Sequence, residues 1–298
     1  MGTSLHKDPH IIKGALFALC GYLSMALLSA CSKGLPSFSL MQILFFQNCI
    51  SCILTLPKVT MGGGFKFLKT SHPYLHLTRD AAGLACFFSF FYAIKEIPLV
   101  NAVLFVNAAP LWLPFVIYFW LRKRVFFHIW LGIFLGLIGI ILIIKPLSTP
   151  INLGVILGLA SGMLFAITMV AQRTLSKTEP ASRILFYYFF FGLIITTPFA
   201  VAEWQPFTLI QLLLFLGVGV FMYLSQAFMI TAFTYAKASA LSPLAYSAVI
   251  FSGILGWLIW GHIPDWMSVV GIILVIIGGI ITLVIERKNE RRKGNTIR

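Results

Sequence analysis

Carboxylates are the scarcest chemistry in this sequence: Asp and Glu together number 8 among 298 residues. The eight, Asp8, Asp80, Glu96, Glu179, Glu203, Asp265, Glu286 and Glu290, all fall at the ends of long apolar runs or between them. Charged residues of both signs make up 10% of the chain, against roughly 25% in an ordinary soluble domain. That excludes a water-exposed globular surface. A metal centre or a nucleophile with its base also lacks material. The six histidines, His6, His10, His72, His76, His128 and His262, lie on the loop side of the runs and are not spaced as ligands. No metal, no cofactor and no membrane enzyme is expected.

Cysteine is sparse and unframed. Cys20, Cys31, Cys49, Cys52 and Cys86 are odd in number and confined to the first third of the chain, which excludes a disulfide scaffold. The CISC at 49 to 52 lies inside an apolar run, where small polarizable residues serve helix contacts more readily than redox chemistry. Alternating apolar and polar segments of about 10 residues, the mark of a transmembrane barrel, are missing too. GIFLGLIGIILII, residues 132 to 144, is apolar on every side. The basic opening MGTSLHKDPHIIK has no small-residue cleavage site after it, so the first run reads as a retained helix and not a signal peptide.

What is present is hydrocarbon. Hydrophobic residues make up 59% of the chain, and the mean hydropathy is +0.96. Runs able to cross about 30 Å of bilayer as helices lie near 11 to 31, 38 to 57, 74 to 94, 99 to 121, 127 to 144, 153 to 172, 183 to 202, 209 to 232, 240 to 260 and 267 to 285. The expected fold is an all-α integral membrane protein of ten transmembrane helices. With the N-terminus cytoplasmic, 19 of the 22 Lys and Arg fall on the inner side; Lys33, Lys95 and Lys145 are the exceptions. That bias is the positive-inside rule. It predicts a multi-pass protein of the bacterial inner membrane with both termini cytoplasmic. The net charge of +14 is then a topology signal, the tail ERKNERRKGNTIR an anchor beside anionic headgroups, and nucleic acid no partner.

The second half repeats the first. Shifted by 139 positions, WLGIFLGLIGIILI (130 to 143) overlies VVGIILVIIGGIIT (269 to 282), so Gly132 meets Gly271 and Gly139 meets Gly278. The polar breaks LRKRVF (121 to 126) and GHIPDW (261 to 266) precede the two copies. Two five-helix halves follow, residues 1 to 148 and 149 to 286, with a basic tail at 287 to 298. An odd number of spans per half sends the second copy through the bilayer the other way. The halves are inverted repeats, which put a substrate site near the midplane between them and permit alternating access. A duplicated bundle that transports nothing, such as an assembly or receptor subunit, is the structural alternative.

Polar stripes at helical spacing mark inward faces: Tyr22, Ala26, Ser29; Arg79, Gly83, Cys86; Val103, Asn107, Pro110, Pro114; Ser161, Phe165, Thr168, Gln172; Gly219, Tyr223, Gln226; Pro243, Tyr246. Spans five and ten offer only glycines and read as packing helices. Each polar residue could equally make an interhelical hydrogen bond worth about 0.6 kcal/mol. Asn107 is the leading substrate contact: it lies mid-span with two donors and an acceptor, one turn before Pro110, whose missing N–H frees a carbonyl. Gln226 lies at similar depth, and Gln172 lies on the same type of stripe. The rings of Tyr22, Tyr223 and Tyr246 could hold an organic cation. Arg79 either snorkels to the interface or meets a substrate anion.

HLTRDAAG at 76 to 83, AIKEIPLVNAVLFVNAAP at 93 to 110, WLGIFLGLIGIILIIKP at 130 to 146 and AFTYAKASALSPLAY at 232 to 246, with the duplication, resemble the drug/metabolite transporter superfamily, EamA-type. The resemblance covers nearly the whole chain. It implies ten helices around a central cavity with helices five and ten peripheral. It also implies a small-molecule substrate, and among the similar carriers are bacterial amino-acid and metabolite exporters and S-adenosylmethionine uptake carriers, whose HxxR and P-D signatures match His76, Arg79, Pro264 and Asp265. The Glu usual at the end of each fourth helix is Lys123 and His262 here. No span-centre carboxylate is present to exchange protons for substrate, since Asp80, the nearest, adjoins Arg79. The expected carrier is therefore a facilitator or exchanger of a small polar or zwitterionic metabolite, monomeric or weakly dimeric, with a proton-coupled efflux pump as the alternative.

Overall fold

A computed structural model of the chain describes residues 9–62, 64, 68–121, 129–144, 151–175, 178–235, 242–262, 265–278, 280 and 281. Lys123, Pro264 and the tail 287–298 lie outside the described residues, as do the side chains of Pro110, Pro114 and Pro243. The described residues are nearly all helical and contain no strand.

The helices are α1 (Pro9–Lys33), α2 (Leu40–Met61), α3 (Pro73–Glu96), α4 (Leu99–Asn107), α5 (Ala109–Leu121), α6 (Ile129–Ile144), α7 (Leu153–Leu175), α8 (Ala181–Ala202), α9 (Leu209–Tyr235), α10 (Ser247–Trp260) and α11 (Trp266–Gly278). Six of them, α1, α2, α3, α7, α8 and α9, are long and apolar enough to cross a membrane unaided. Local chemistry sets several ends. The Ser39 hydroxyl caps α2 by accepting from Gln42 N at 3.1 Å, proline opens α3, and Gly261, left-handed at φ 66°, closes α10.

The fourth apolar run is not one helix. Its ladder tightens at Ala108, where Ala108 N donates to Phe105 O (3.2 Å) and Leu111 N to Ala108 O (2.9 Å). Pro110 cannot donate, so the Val106 carbonyl loses its partner four residues on. The ninth run also departs from a plain α-helix: a 3-10 turn, Ser242–Tyr246, leads into α10. The 139-residue shift carries Asn107 onto Tyr246 and Ala108 onto Ser247. Both fourth runs therefore change helix type beside equivalent residues, Asn107–Ala108 and Tyr246–Ser247.

The contacts obey the same shift. α1 packs on α9 and its equivalent, α7, on α3; α2 packs on its equivalent α8, and α4 on α10. At the crossing of α6 and α11, a methyl on Gly139 would lie 2.5 Å from Gly271 O, and one on Gly278 would lie 2.5 Å from Gly132 O. Each pair is the image of the other. Because Gly139 meets the start of α11 and Gly132 its end, the two helices run antiparallel, and the halves are inverted.

Two of the three lysines expected on the outer side are tied down. Lys33 Nζ donates to Ile94 O (2.7 Å) and Ile97 O (2.9 Å), filling orphan carbonyls at the end of α3, while Lys95 Nζ donates to Phe38 O and Pro36 O. Lys33 thus caps α3, while Lys95 ties the end of α3 to the α1–α2 loop.

Candidate functional site

The paired helix breaks sit where α4 and α10 pack together, and they carry two of the candidate residues. Asn107, the last residue of α4, is 2% exposed, and its Nδ2 donates to Val103 O at 2.8 Å. Tyr246, its equivalent, is 3% exposed, and its hydroxyl has no hydrogen-bond partner among the described residues. Tyr22 of α1 is half-buried, and α1 packs on the turn that carries Tyr246. Gly21 beside it abuts Ser225 O and Met229 of α9, so the α9 turn carrying Gln226 packs against this stretch of α1. α7 closes on the first break because Gly158 and Gly162 let it touch the Phe105 ring and carbonyl. Tyr223 is differently placed: the Lys58 ammonium lies 5.6 Å over its ring, so an internal cation already occupies that face.

A second polar group lies at one end of the interface between the halves, where α3 begins, α7 ends and α8 begins. His76 donates from Nε2 to Glu179 Oε2 at 2.6 Å, and the Thr70 hydroxyl donates to Glu179 Oε1. Arg183 approaches the same carboxylate at 4.0 Å. Arg79 pairs with Asp80 (3.2 Å), reaches Gln172 Oε1 (3.5 Å), and stacks its guanidinium 4.2 Å over the Tyr188 ring. Tyr188 sits flush on Gly83, where any side chain would collide with the ring. Arg79 and Gln172, named separately on two stripes, thus meet.

Arg79 does not snorkel. It is 1% exposed, and its Nε has no hydrogen-bond partner among the described residues. The adjacent Asp80, the Tyr188 face and Gln172 supply the compensation that a buried guanidinium requires. Nor is His76 a loop-side histidine: it is 3% exposed within α3 and bonded across the halves. The Arg79–Gly83–Cys86 stripe faces α7 and α8, with Cys86 Sγ 3.3 Å from Ser161 O, where the sequence suggested a cavity wall. Glu179 and Tyr188 carry no local signal that would have singled them out.

Glu179 lies outside the spans, between α7 and α8. Burial pushes its carboxyl up, but the hydrogen bonds from Thr70 and His76 and the charges of His76 and Arg183 outweigh it and hold the group below the usual range. A depressed folded value means the stabilisation is complete above the unfolded value of about 4.3 and is lost as pH falls through the folded one. Wild-type protein in detergent should lose melting temperature more steeply than Glu179→Gln below about pH 4.3. Parallel curves would show that the carboxylate is not held by these partners.

The opposite end is sealed by rings. Phe38 in the α1–α2 loop meets Phe215 edge-on at 5.0 Å, Phe46 stacks on Phe215 at 4.3 Å, and Phe207 and Trp204 lie 5.5 and 5.7 Å from Phe46. Gln42 brackets the α8–α9 loop, donating to Gln205 O and accepting from Gln205 N.

Among the described residues no group of three or more His, Cys, Asp or Glu could hold a metal ion. Comparison with known proteins agrees with this architecture. The profile of the EamA-like transporter family matches residues 12–145 and 152–284. Similar curated proteins include a pseudopaline exporter of Pseudomonas aeruginosa, 27% identical with 86% of this chain and 89% of the relative covered. An S-adenosylmethionine uptake transporter of Rickettsia bellii is 25% identical over 85% of this chain and 86% of its own. A riboflavin transporter of Vibrio cholerae is 25% identical over 96% and 98%. A solved crystal structure shares the fold at a TM-score of 0.65 with 15% identity, covering 91% of this chain and 97% of its own. With both inverted halves matched nearly end to end, the chain belongs to the EamA-like transporter family of the drug/metabolite transporter superfamily, and it is a membrane transporter, not an enzyme.

Proposed function

We propose that this transporter carries a small polar or zwitterionic organic metabolite, of amino-acid or S-adenosylmethionine-like character, by alternating access across the bacterial inner membrane. The observation that carries the reading is the coincidence of two helix breaks at equivalent residues of inverted halves, Asn107–Ala108 and Tyr246–Ser247. Broken helices at a repeat interface expose backbone polar groups where a substrate can use them. Asn107 and the Val106 carbonyl freed by Pro110 form one wall. Tyr246, Tyr22 and Gln226 form the other, with Tyr223, Arg79 and Gln172 further along the path. Residues 1 to 148 and 149 to 286 act as the two moving bodies, and the working unit is a monomer or weak dimer.

The positive-inside bias puts both termini and the Glu179 end in the cytoplasm. Direction does not follow from the fold, because relatives of similar resemblance are named an exporter and an uptake transporter. The only acid of the described spans outside their last turns is Asp80, which is spent on Arg79. That supports facilitated diffusion or exchange. The buried His76–Glu179 pair favours proton coupling as the second reading.

A thermal-shift screen of purified protein against amino acids and S-adenosylmethionine should find a ligand, since occupancy at 100 times the dissociation constant adds about 2.7 kcal/mol. That ligand should show counterflow in proteoliposomes without a pH gradient, retained in Asp80→Asn. Uptake that appears only with a pH gradient would establish the proton-coupled reading instead.

A further inference from the structure

The two ends of the interface between the halves are built at equivalent places from opposite chemistry. At one end the α7–α8 loop docks Glu179 onto His76 of α3 and Thr70 of the preceding loop. At the other the α1–α2 loop, equivalent to α7–α8, docks Phe38 onto Phe215 of α9. The shift of 139 carries His76 onto Phe215. On α3, His76 and Lys95 are 19 residues apart, about 28 Å at 1.5 Å per residue, and Lys95 bonds to Phe38 O. The two seals therefore stand a bilayer thickness apart.

Between them run two equivalent stripes. Tyr22, Ala26 and Ser29 of α1 shift onto Ser161, Phe165 and Thr168 of α7. Ser29 Oγ donates to Met25 O at 2.7 Å, and Thr168 Oγ1 to Leu164 O at 3.0 Å, again images of each other. Helix faces that match in their middle thus end in an ionic cluster on one side and an aromatic cluster on the other.

We propose that these seals are the two gates of the transport cycle: Glu179 with His76 and Thr70 closes one face, and Phe38 with Phe46 and Phe215 closes the other. The proposal rests on the alternating-access reading, but not on any substrate. Opening the first face requires the Glu179 carboxylate to leave its hydrogen bonds, whose directional geometry makes that gate two-state. Opening the second requires rings to slide apart, which exposes them to water or lipid and has no fixed geometry. Weakening one seal populates the state open at that face at the expense of the other.

The test uses the full chain in membrane vesicles, with Cys20, Cys31, Cys49, Cys52 and Cys86 replaced and one reporter introduced, Ser29→Cys or Thr168→Cys. A membrane-impermeant maleimide is applied from each face in turn. Glu179→Gln should raise labelling of the Thr168→Cys reporter from the Glu179 face roughly tenfold, the change produced by losing one charged hydrogen bond of about 1.4 kcal/mol. It should lower labelling of Ser29→Cys from the other face. Phe215→Ala should do the reverse. Thr70→Val, which removes a single bond to Glu179, should shift labelling the same way by less and guards against a misfolded Glu179→Gln. Unchanged labelling, or a rise of both reporters together in every variant, would overturn the gate assignment. Because no substrate is added, that result would stand apart from a failed search for a transported metabolite.

Discussion

Asn107→Ala and Tyr246→Phe are each expected to lower transport about tenfold, the loss of one substrate hydrogen bond near 1.4 kcal/mol, with little change in folded stability. The two substitutions remove different groups at equivalent places. Among the described residues the Asn107 amide donates to Val103 O within its own helix, a bond worth about 0.6 kcal/mol in a bilayer. The Tyr246 hydroxyl is buried without a partner among the described residues, so deleting it removes an unsatisfied group and should leave the melting temperature unchanged or raised. A purely structural role for these residues predicts the opposite pattern, in which stability suffers and transport follows it. Initial rates of counterflow measured beside melting temperatures separate the two. If both variants transport at the wild-type rate, the helix breaks are not the binding site.

Gly139→Ala and Gly278→Ala should each destabilise the protein by about 1–3 kcal/mol, the usual range for overpacking, although each adds one methyl. At Gly139 the new carbon would lie 2.5 Å from Gly271 O and 2.8 Å from Val275 N; at Gly278, 2.5 Å from Gly132 O and 2.7 Å from Gly136 N. All four are backbone atoms, which cannot turn aside, so α6 and α11 must separate. Once one methyl has forced them apart the second meets open space, and the double variant should cost less than the sum. Gly256→Ala is the control, since its methyl would find Leu99 Cβ at an ordinary 3.8 Å. Melting in detergent reads all four proteins. Equal stability of Gly139→Ala and Gly256→Ala would mean the crossing is looser than described.

The spans and the duplication were legible because both are properties of the chain read along its length. Twenty apolar residues signal a helix wherever they pack, and the glycines at 132, 139, 271 and 278 keep their spacing because backbones touch there. Faces were harder to read. In lipid a helix is apolar all round, so direction rests on a few polar residues that serve helix contacts as readily as a cavity. The Arg79–Gly83–Cys86 stripe is such a case: it points at Tyr188 and Ser161. The Glu179 partnership spans 103 positions and two halves, and nothing near either residue announces it. Pro110 did mark the first helix break, through its missing N–H. The second break showed only when Asn107 was carried onto Tyr246 by the repeat.

Alternating access to the paired breaks is the central claim, and a single cysteine at Asn107 tests it most directly. In vesicles of both orientations, with the native cysteines removed, an impermeant thiol reagent is applied to Asn107→Cys from each face in turn. Labelling from both faces is the expected result, because a position buried here, 2% exposed, would open to each side in turn. Labelling from one face alone, or from neither, would contradict it.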